Sequence, residues 1–259
     1  MANLRTGLSM LYCLGQPFKK MIHEIPSAGT RYIEIVDDGL HVLSKQRVST
    51  LREIGESYEL RYIVHAPFAG VNIAVPSRPL LNAILRRLKQ SIVNARVLGA
   101  KSWIFHPGMK TGISMFYPGR DWIENLRNVN LIVKFAQDNS VEPILENVTE
   151  PFLMKSVDDF KRFYDEFDGD LRMALDTGHA NISGGLEDFL TELSGKIAHI
   201  HAHDNNGKSD QHLGVGRGTT KWENFADLVK KIPGECVITV ESVEYVQESL
   251  DKIRHMVAR

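Results

Sequence analysis

The chain has 259 residues, 43% of them hydrophobic and 24% charged, which is ordinary for a globular enzyme with one large core. Lysine and arginine (31) nearly balance aspartate and glutamate (32), so the overall charge gives no argument for binding a polyanion. Cys13 and Cys236 are too few for a disulfide framework, and no apolar run approaches the roughly 18 residues of a membrane helix, so we expect a cytoplasmic protein.

Short apolar runs alternate with longer amphipathic stretches along the whole chain. Most runs are rich in β-branched or aromatic residues and alternate too little for a half-exposed sheet, which is typical of buried parallel strands. The predicted strands are Arg5–Met10, Tyr32–Val36, Tyr62–His65, Trp103–His106, Pro143–Glu146, Met173–Asp176, Ile197–His203 and Val237–Glu241.

The stretches between these strands have the spacing of helices. In Arg78–Gly99, apolar residues recur at steps of three and four, and Pro79 and Gly99 lie where helices begin and end. Trp122–Gln137 and Val243–Val257 show the same pattern. Eight strands alternating with about eight helices predict an α/β fold, a single (β/α)8 TIM barrel spanning residues 1–259.

Imidazoles and carboxylates follow six of the predicted strands. In a barrel, the carboxyl ends of all strands open onto one face, so these residues converge. Both groups are ligands for zinc and related ions, and without a metal such a cluster would leave unpaired charges in a partly buried site. The sequence therefore predicts a divalent metal centre from residues His65, His106, Glu146, Asp176, His179, His199, His201, His203, Asp210, His212 and Glu241.

Three of these histidines lie on predicted strand 7. His199, His201 and His203 are two residues apart, so all three point to the same side of the sheet. We expect only one or two of them to reach a metal. His199 lies deepest and is interpreted as structural, whereas a ligand role for His203 stays open.

Four motifs that contain six of the candidate ligands, HAPFAGVNIA, FHPG, DTGH and DQHLGVGRG, resemble the endonuclease IV-like and xylose isomerase-like barrels of AP endonuclease family 2. The resemblance extends from about Arg5 to Glu241. It implies a site for three zinc ions. The first would be held by His65, His106 and a bridging Glu146, and the second by Glu146, Asp176, His201 and Glu241. The third would be held by His179, Asp210 and His212.

The resemblance implies one of two activities. The first is hydrolysis of the phosphodiester 5′ to an abasic site, which would make the chain a DNA-repair enzyme with two or three Zn²⁺ ions, abasic DNA as partner, and Glu146 helping to hold the nucleophile. The alternative is isomerisation or epimerisation of a small sugar or sugar phosphate with one Mn²⁺, Co²⁺ or Mg²⁺ ion. There, Glu146 and Glu241 would move a proton between carbons. A catalytically silent metal-binding protein is a third possibility.

The segment EIVDDGLHVL departs from the endonuclease pattern. Glu34, Asp37 and Asp38 are expected near the pocket, where they would repel phosphate groups. Glu34 would instead suit a small-molecule site, because a carboxylate can bind sugar hydroxyls.

Three further features bear on the substrate. The wedge that the endonucleases insert into DNA corresponds here to Phe68 and Ala69, and the arginine before the last histidine of the metal site is replaced by Gln211. Gly214–Gly218 (GVGRG) is a weak candidate for a phosphate-binding loop. The oligomeric state is left open.

Overall fold

The computed structural model describes residues 3–258, whose eight strands form one closed parallel barrel in sequence order. β1 pairs with both β2 and β8, which closes the barrel and confirms the predicted TIM fold. The strands are β1 (Asn3–Ser9), β2 (Tyr32–Val36), β3 (Arg61–His65), β4 (Ser102–Phe105), β5 (Glu142–Glu146), β6 (Arg172–Asp176), β7 (Ile197–Ala202) and β8 (Glu235–Val240).

Helices cover the outside of the barrel, and two short ones follow β6. They are α1 (Phe18–Glu24), α2 (Lys45–Ser57), α3 (Arg78–Leu98), α4 (Arg120–Asp138), α5 (Val157–Glu166), α6 (Thr177–Ser183), α7 (Leu186–Glu192), α8 (Trp222–Val229) and α9 (Val246–Ala258). The end predicted for α3 is confirmed, because Gly99 caps it with a φ of 82°. Within residues 3–258, no helix has the length and apolar character needed to cross a membrane.

The hydrophobic core has an outer and an inner layer. The outer one lies between the barrel and the helices and contains side chains such as Trp103 and Phe160, both fully buried. The inner one is a small apolar layer inside the barrel: Ile63, Ile104, Ile144, Ala174 and Ala198.

The inner layer explains why the ionisable residues converge. Successive side chains of a strand point to opposite faces, so the residue two positions after an inward apolar one also points inward. Two positions after Ile63, Ile104, Ile144 and Ala174 come, at the carboxyl end of the barrel, His65, His106, Glu146 and Asp176.

A β-bulge in β7 determines that its histidines point into the barrel. Met173 pairs with Ile197 and Ala174 with His199, so Ala198 has no partner on β6. An extra residue of this kind changes which side chains point inward. The inward positions that follow, confirmed by their contacts inside the barrel, are His199, His201 and His203.

Candidate metal centre

His201 is the centre of the buried cluster. Its Nδ1 atom lies 2.9 Å from Glu146 Oε1, 3.6 Å from Glu241 Oε2 and 3.8 Å from Asp176 Oδ2. All four side chains are at most 6% exposed. Asp176 and His201 are register partners on β6 and β7, so the closed barrel itself brings them together.

Two further histidines lie on the other side of Glu146. His65 Nε2 and His106 Nε2 are each 3.2 Å from Glu146 Oε2, at the ends of β3 and β4. The two rings meet edge to face with centroids 5.0 Å apart. Glu146 therefore lies between this pair and His201, as expected for a carboxylate that could bridge two ions.

A third group forms around the loop after β7. Asp210 Oδ2 lies 3.3 Å from His179 Nε2 and 3.1 Å from His212 Nε2. Asp210 is held in a loop, whereas His179 belongs to α6, which begins directly after β6. The structure thus brings all nine ligand residues that the family resemblance implies to one end of the barrel.

Backbone carbonyls determine which nitrogen of a neutral ring carries the hydrogen in three of these histidines. The Nδ1 atoms of His65, His179 and His212 lie 2.8, 2.8 and 2.9 Å from the carbonyl oxygens of Ala66, Asn147 and Glu241. A carbonyl only accepts hydrogen bonds, so Nδ1 carries the hydrogen and a neutral ring presents the Nε2 lone pair to the pocket. This is the arrangement that a metal-binding histidine requires.

The donor atoms fit a divalent ion. Several sets of three ligand atoms lie within 4.8 Å of one another, among them His65–His106–Glu146 and His65–His201–Glu241. The buried carboxylates repel one another, and a cation between them would remove that repulsion. The buried clusters therefore point to divalent metal binding at this end of the barrel.

The carboxylates raise the pKa of four of the histidines; that of His201 is raised well above its usual value because Glu241, Glu34 and Glu146 outweigh its burial. Burial alone would lower the pKa of His65, but the hydrogen bond and charge of Glu146 raise it to about 9. Burial is likewise outweighed at His212, where the hydrogen bond with Asp210 raises the pKa to about 9. Nearby carboxylates also overcome burial at His179 and raise its pKa to about 10. In the metal-free protein these rings are protonated at neutral pH.

Glu146 and Glu241 differ in their electrostatic surroundings. Burial would raise the pKa of Glu146, but the charges of His201 and His106 lower it well below its usual value. Burial raises the pKa of Glu241, since the nearby histidines compensate less. One carboxylate thus favours the ionised form and the other binds a proton more readily, which suits an acid–base pair.

The three acidic residues of the segment after β2 each have a partner inside the protein. Glu34 is fully buried, and Asp37 accepts two hydrogen bonds from Arg87, at 3.0 and 2.7 Å. Asp38 accepts hydrogen bonds from the backbone N–H groups of Phe68 and Ala69, both at 2.8 Å. Glu34 and Asp37 are therefore removed from the expected acidic rim, whereas the backbone groups that bind Asp38 carry no charge and do not neutralise it.

The glycine-rich segment Gly214–Gly218 is not an open phosphate cradle. The N–H groups of Gly216 and Gly218 donate to the Asp204 carboxylate, at 3.1 and 2.9 Å, and Trp222 Nε1 donates to it at 2.9 Å. Asp204 is fully buried and already supplies the negative charge that a phosphate would bring. It anchors the loop that carries Asp210 and His212.

Asn147 supports the site, although it was not among the residues predicted from the sequence. Its amide pairs with the backbone of Asp176, accepting from N at 2.7 Å and donating to O at 3.1 Å. It also provides the carbonyl that orients His179. Its position directly after Glu146 was the one available signal.

His203 supports Asp176. Its Nε2 atom lies 3.0 Å from both carboxylate oxygens of Asp176, so the N–H donates to them and the nitrogen has no lone pair for a metal. The ring packs directly over Gly178, with no room between them for a side chain. We therefore interpret His203 as a residue that orients a ligand.

A cavity of about 240 Å³ opens above the cluster. Its polar wall carries His65, His106, Glu146, His179, Asp210, His212 and Glu241. The opposite wall is apolar: Leu11, Val36, Phe68, Val148 and Phe152. Among the described residues, those that line the cavity include no lysine or arginine.

The family model for the xylose isomerase-like TIM barrel matches residues 22–257. The chain belongs to this family. It is therefore a member of a superfamily of metal-dependent TIM barrel enzymes, as the motifs predicted.

The curated relatives of this family member include an uncharacterized protein and an endonuclease. An uncharacterized protein of Methanocaldococcus jannaschii is 27% identical, over 99% of this chain and 92% of its own length. A protein named probable endonuclease 4 from Aquifex aeolicus is 28% identical, over 65% of each chain.

Solved structures share the whole fold. A D-tagatose 3-epimerase-like protein superposes with a TM-score of 0.90 at 26% identity, covering 98% of this chain and 97% of its own. The IolI protein, solved with a bound zinc atom, superposes with a TM-score of 0.80 at 17% identity, covering 98% and 96%.

Metal binding is predicted to release protons and to strengthen as the pH rises from about 6.5 to 10. The pKa values of about 9 and 10 mean that His65, His212 and His179 must lose protons before they bind a metal. Calorimetric titration with Zn²⁺ at pH 7.5, in buffers of different ionisation enthalpy, measures this release. Heats that do not depend on the buffer would contradict the prediction.

The same pKa values predict the opposite trend for stability without metal. These histidines bind protons more tightly folded than unfolded, so their contribution is complete below about pH 6.5 and is lost as the pH rises through 9 to 10. The melting temperature of the chelator-treated protein should fall over this range. A constant or rising value would be inconsistent with the electrostatics described above.

Replacing Gly178 by alanine is predicted to disturb the site. The new Cβ would lie 2.0 Å from His203 Cε1, so the ring that orients Asp176 must move. We expect a loss of about 1–3 kcal/mol in unfolding free energy, as for other overpacked positions, together with weaker metal binding. Gly195→Ala is the matched control, because nothing lies within 4 Å of its Cβ. Equal effects of the two changes in urea denaturation would refute this reasoning.

Proposed function

We propose that this protein is a metal-dependent isomerase or epimerase of a small, uncharged sugar. The observation that carries the proposal is the position of Glu146 and Glu241, both buried and both facing His201 Nδ1, at the floor of a cavity of about 240 Å³. Two carboxylates at one such site can take a proton from a carbon beside a carbonyl and return it.

The shape and lining of the cavity support a small substrate. An abasic DNA site would need an open, basic surface, because phosphate contacts dominate binding to DNA. The described cavity residues offer no lysine or arginine, and Phe68 and Phe152 close one wall. Lys110 and Arg217, which could reach a phosphate, are instead close to Glu150 and Glu248.

The residues would divide the chemistry as follows. A divalent ion held by Glu146, Asp176, His201 and Glu241 supplies polarisation of the substrate carbonyl. Glu146 and Glu241, which both face His201 Nδ1, would serve as the two groups that take the proton from carbon and return it.

The comparisons support this choice over the hydrolase without naming a substrate. The structural relative that is D-tagatose 3-epimerase-like matches nearly the entire chain, whereas the endonuclease relative matches about two thirds of it. One fold can carry several activities, so the assignment depends on the site itself.

Metal-loaded protein is predicted to exchange the hydrogen next to the carbonyl of a free ketose with solvent. Incubating ketopentoses and ketohexoses in D₂O with Zn²⁺-, Mn²⁺- or Co²⁺-loaded protein should give deuterium incorporation by NMR. Glu241→Gln should lower the rate at least ~100-fold, because it removes a general acid–base group.

Glu248→Gln is the control, since this carboxylate is on the surface beside Arg217. Its exchange rate should equal that of the wild-type protein. Absence of exchange with every ketose and every metal would overturn the proposal.

A second candidate, phosphodiester hydrolysis, is favoured by one observation. His65, His106, His179, Asp210 and His212 converge on the same cavity, and a single-metal isomerase has no evident use for all five. Zinc ions held there could orient a phosphodiester and generate a nucleophile. In this case an abasic duplex would be cleaved 5′ to the lesion, and His65→Ala/His212→Ala would abolish the cleavage.

A further inference from the structure

Glu34 is the buried carboxylate nearest to the cluster that is not one of its predicted ligands. It lies in the middle of β2, is fully buried, and points into the barrel. Its Oε2 atom is 2.9 Å from His201 Nε2, on the side of the ring away from Glu146 and Glu241. The two nitrogens of His201 thus face two different carboxylate environments.

His201 differs in this respect from the other ring histidines. His65, His179 and His212 use a backbone carbonyl to hold Nδ1 and present Nε2 to the pocket. At His201 both nitrogens lie 2.9 Å from a carboxylate, Nδ1 from Glu146 and Nε2 from Glu34. Nδ1 also approaches Asp176 and Glu241, so it is the nitrogen on the side of the predicted ligands, and Glu34 lies behind the ring.

Glu34 is itself fixed by two partners. Ser9 Oγ donates to its Oε1 atom at 2.9 Å, and Ser9 and Glu34 are register partners on β1 and β2. His199 Nε2 approaches Oε2 at 3.3 Å from the deeper side of the barrel. These contacts leave the Glu34 carboxylate no free oxygen for a substrate, which excludes the sugar-binding role expected from its position in the sequence.

We propose that Glu34 is a positioning residue that holds the Nε2–H of His201 and thereby presents Nδ1 as a metal ligand. Once a metal binds Nδ1, the one remaining ring hydrogen of His201 is on Nε2, where the Glu34 carboxylate accepts it, and Nδ1 is the nitrogen that faces Glu146, Asp176 and Glu241. Carboxylates behind metal-binding histidines orient the ring and raise its basicity, and their loss typically costs 10–100-fold in metal affinity.

The test measures metal affinity without substrate, so its outcome is independent of the sugar proposed above; it relies only on metal binding by His201. Apoprotein is titrated with Co²⁺ or Zn²⁺ against a competing chelator. Glu34→Gln should weaken the tightest site about 10–100-fold and alter the visible spectrum of the Co²⁺ protein. Asp37→Asn is the matched control, a fully buried carboxylate bonded to Arg87, and should retain wild-type affinity.

Ser9→Ala keeps the inference testable if Glu34→Gln does not fold. It removes one hydrogen bond to Glu34 without touching His201, and should weaken binding by a smaller factor. Nitrogen-15 NMR of the Zn²⁺-loaded protein adds a direct readout: His201 should carry its one ring hydrogen on Nε2, and Glu34→Gln should change the Nε2 signal. Unchanged affinity in both Glu34→Gln and Ser9→Ala, or an equal loss in Asp37→Asn, would overturn the inference.

Discussion

The crowding of three carboxylates around one imidazole determines how this end of the barrel is built. Glu146, Asp176 and Glu241 all face His201 Nδ1 within 3.8 Å, in a region almost without solvent. Like charges so close together are costly in a medium of low polarity. Protonated histidines balance them in the metal-free protein, and a divalent cation would do so with the histidines neutral. A metal ion and the histidine protons therefore neutralise the same carboxylates, so metal binding must release protons.

The barrel supplies the positions, and a surrounding set of hydrogen bonds supplies the orientations. Strand register brings Asp176 beside His201, and the bulge at Ala198 determines that the β7 histidines point into the barrel. Hydrogen bonds then orient the predicted ligand side chains. The partners in these bonds are backbone carbonyls, Asn147, His203 and Glu34. A side chain held on both sides loses little freedom when a metal binds, which is how a preorganised site gains affinity.

The positions of the site residues could be predicted from the sequence, because the carboxyl ends of all strands in a barrel lie at the same face. Finding the strand that ends in His65 or Glu146 was sufficient to place that residue in the site. The hydrogen-bond partners were not accessible in the same way. Asp37 is bonded to Arg87, 50 residues away, and Glu34 to His201, 167 residues away, and no local pattern encodes such pairs. Glu34 and Asp37, which the sequence suggested as part of a repulsive rim, are therefore buried and paired inside the fold.

The nine converging residues explain why this chain resembles two branches of one family. Four of them are enough for proton transfer between carbons, and all nine would serve phosphodiester hydrolysis; the small cavity without described basic residues favours the former. The most direct test is the anomalous diffraction of crystals soaked in Mn²⁺ or Zn²⁺. We predict the strongest peak at coordination distance from His201 Nδ1 and from the carboxylates of Glu146, Asp176 and Glu241. No peak at this position, or one bonded to His201 through Nε2, would contradict the account.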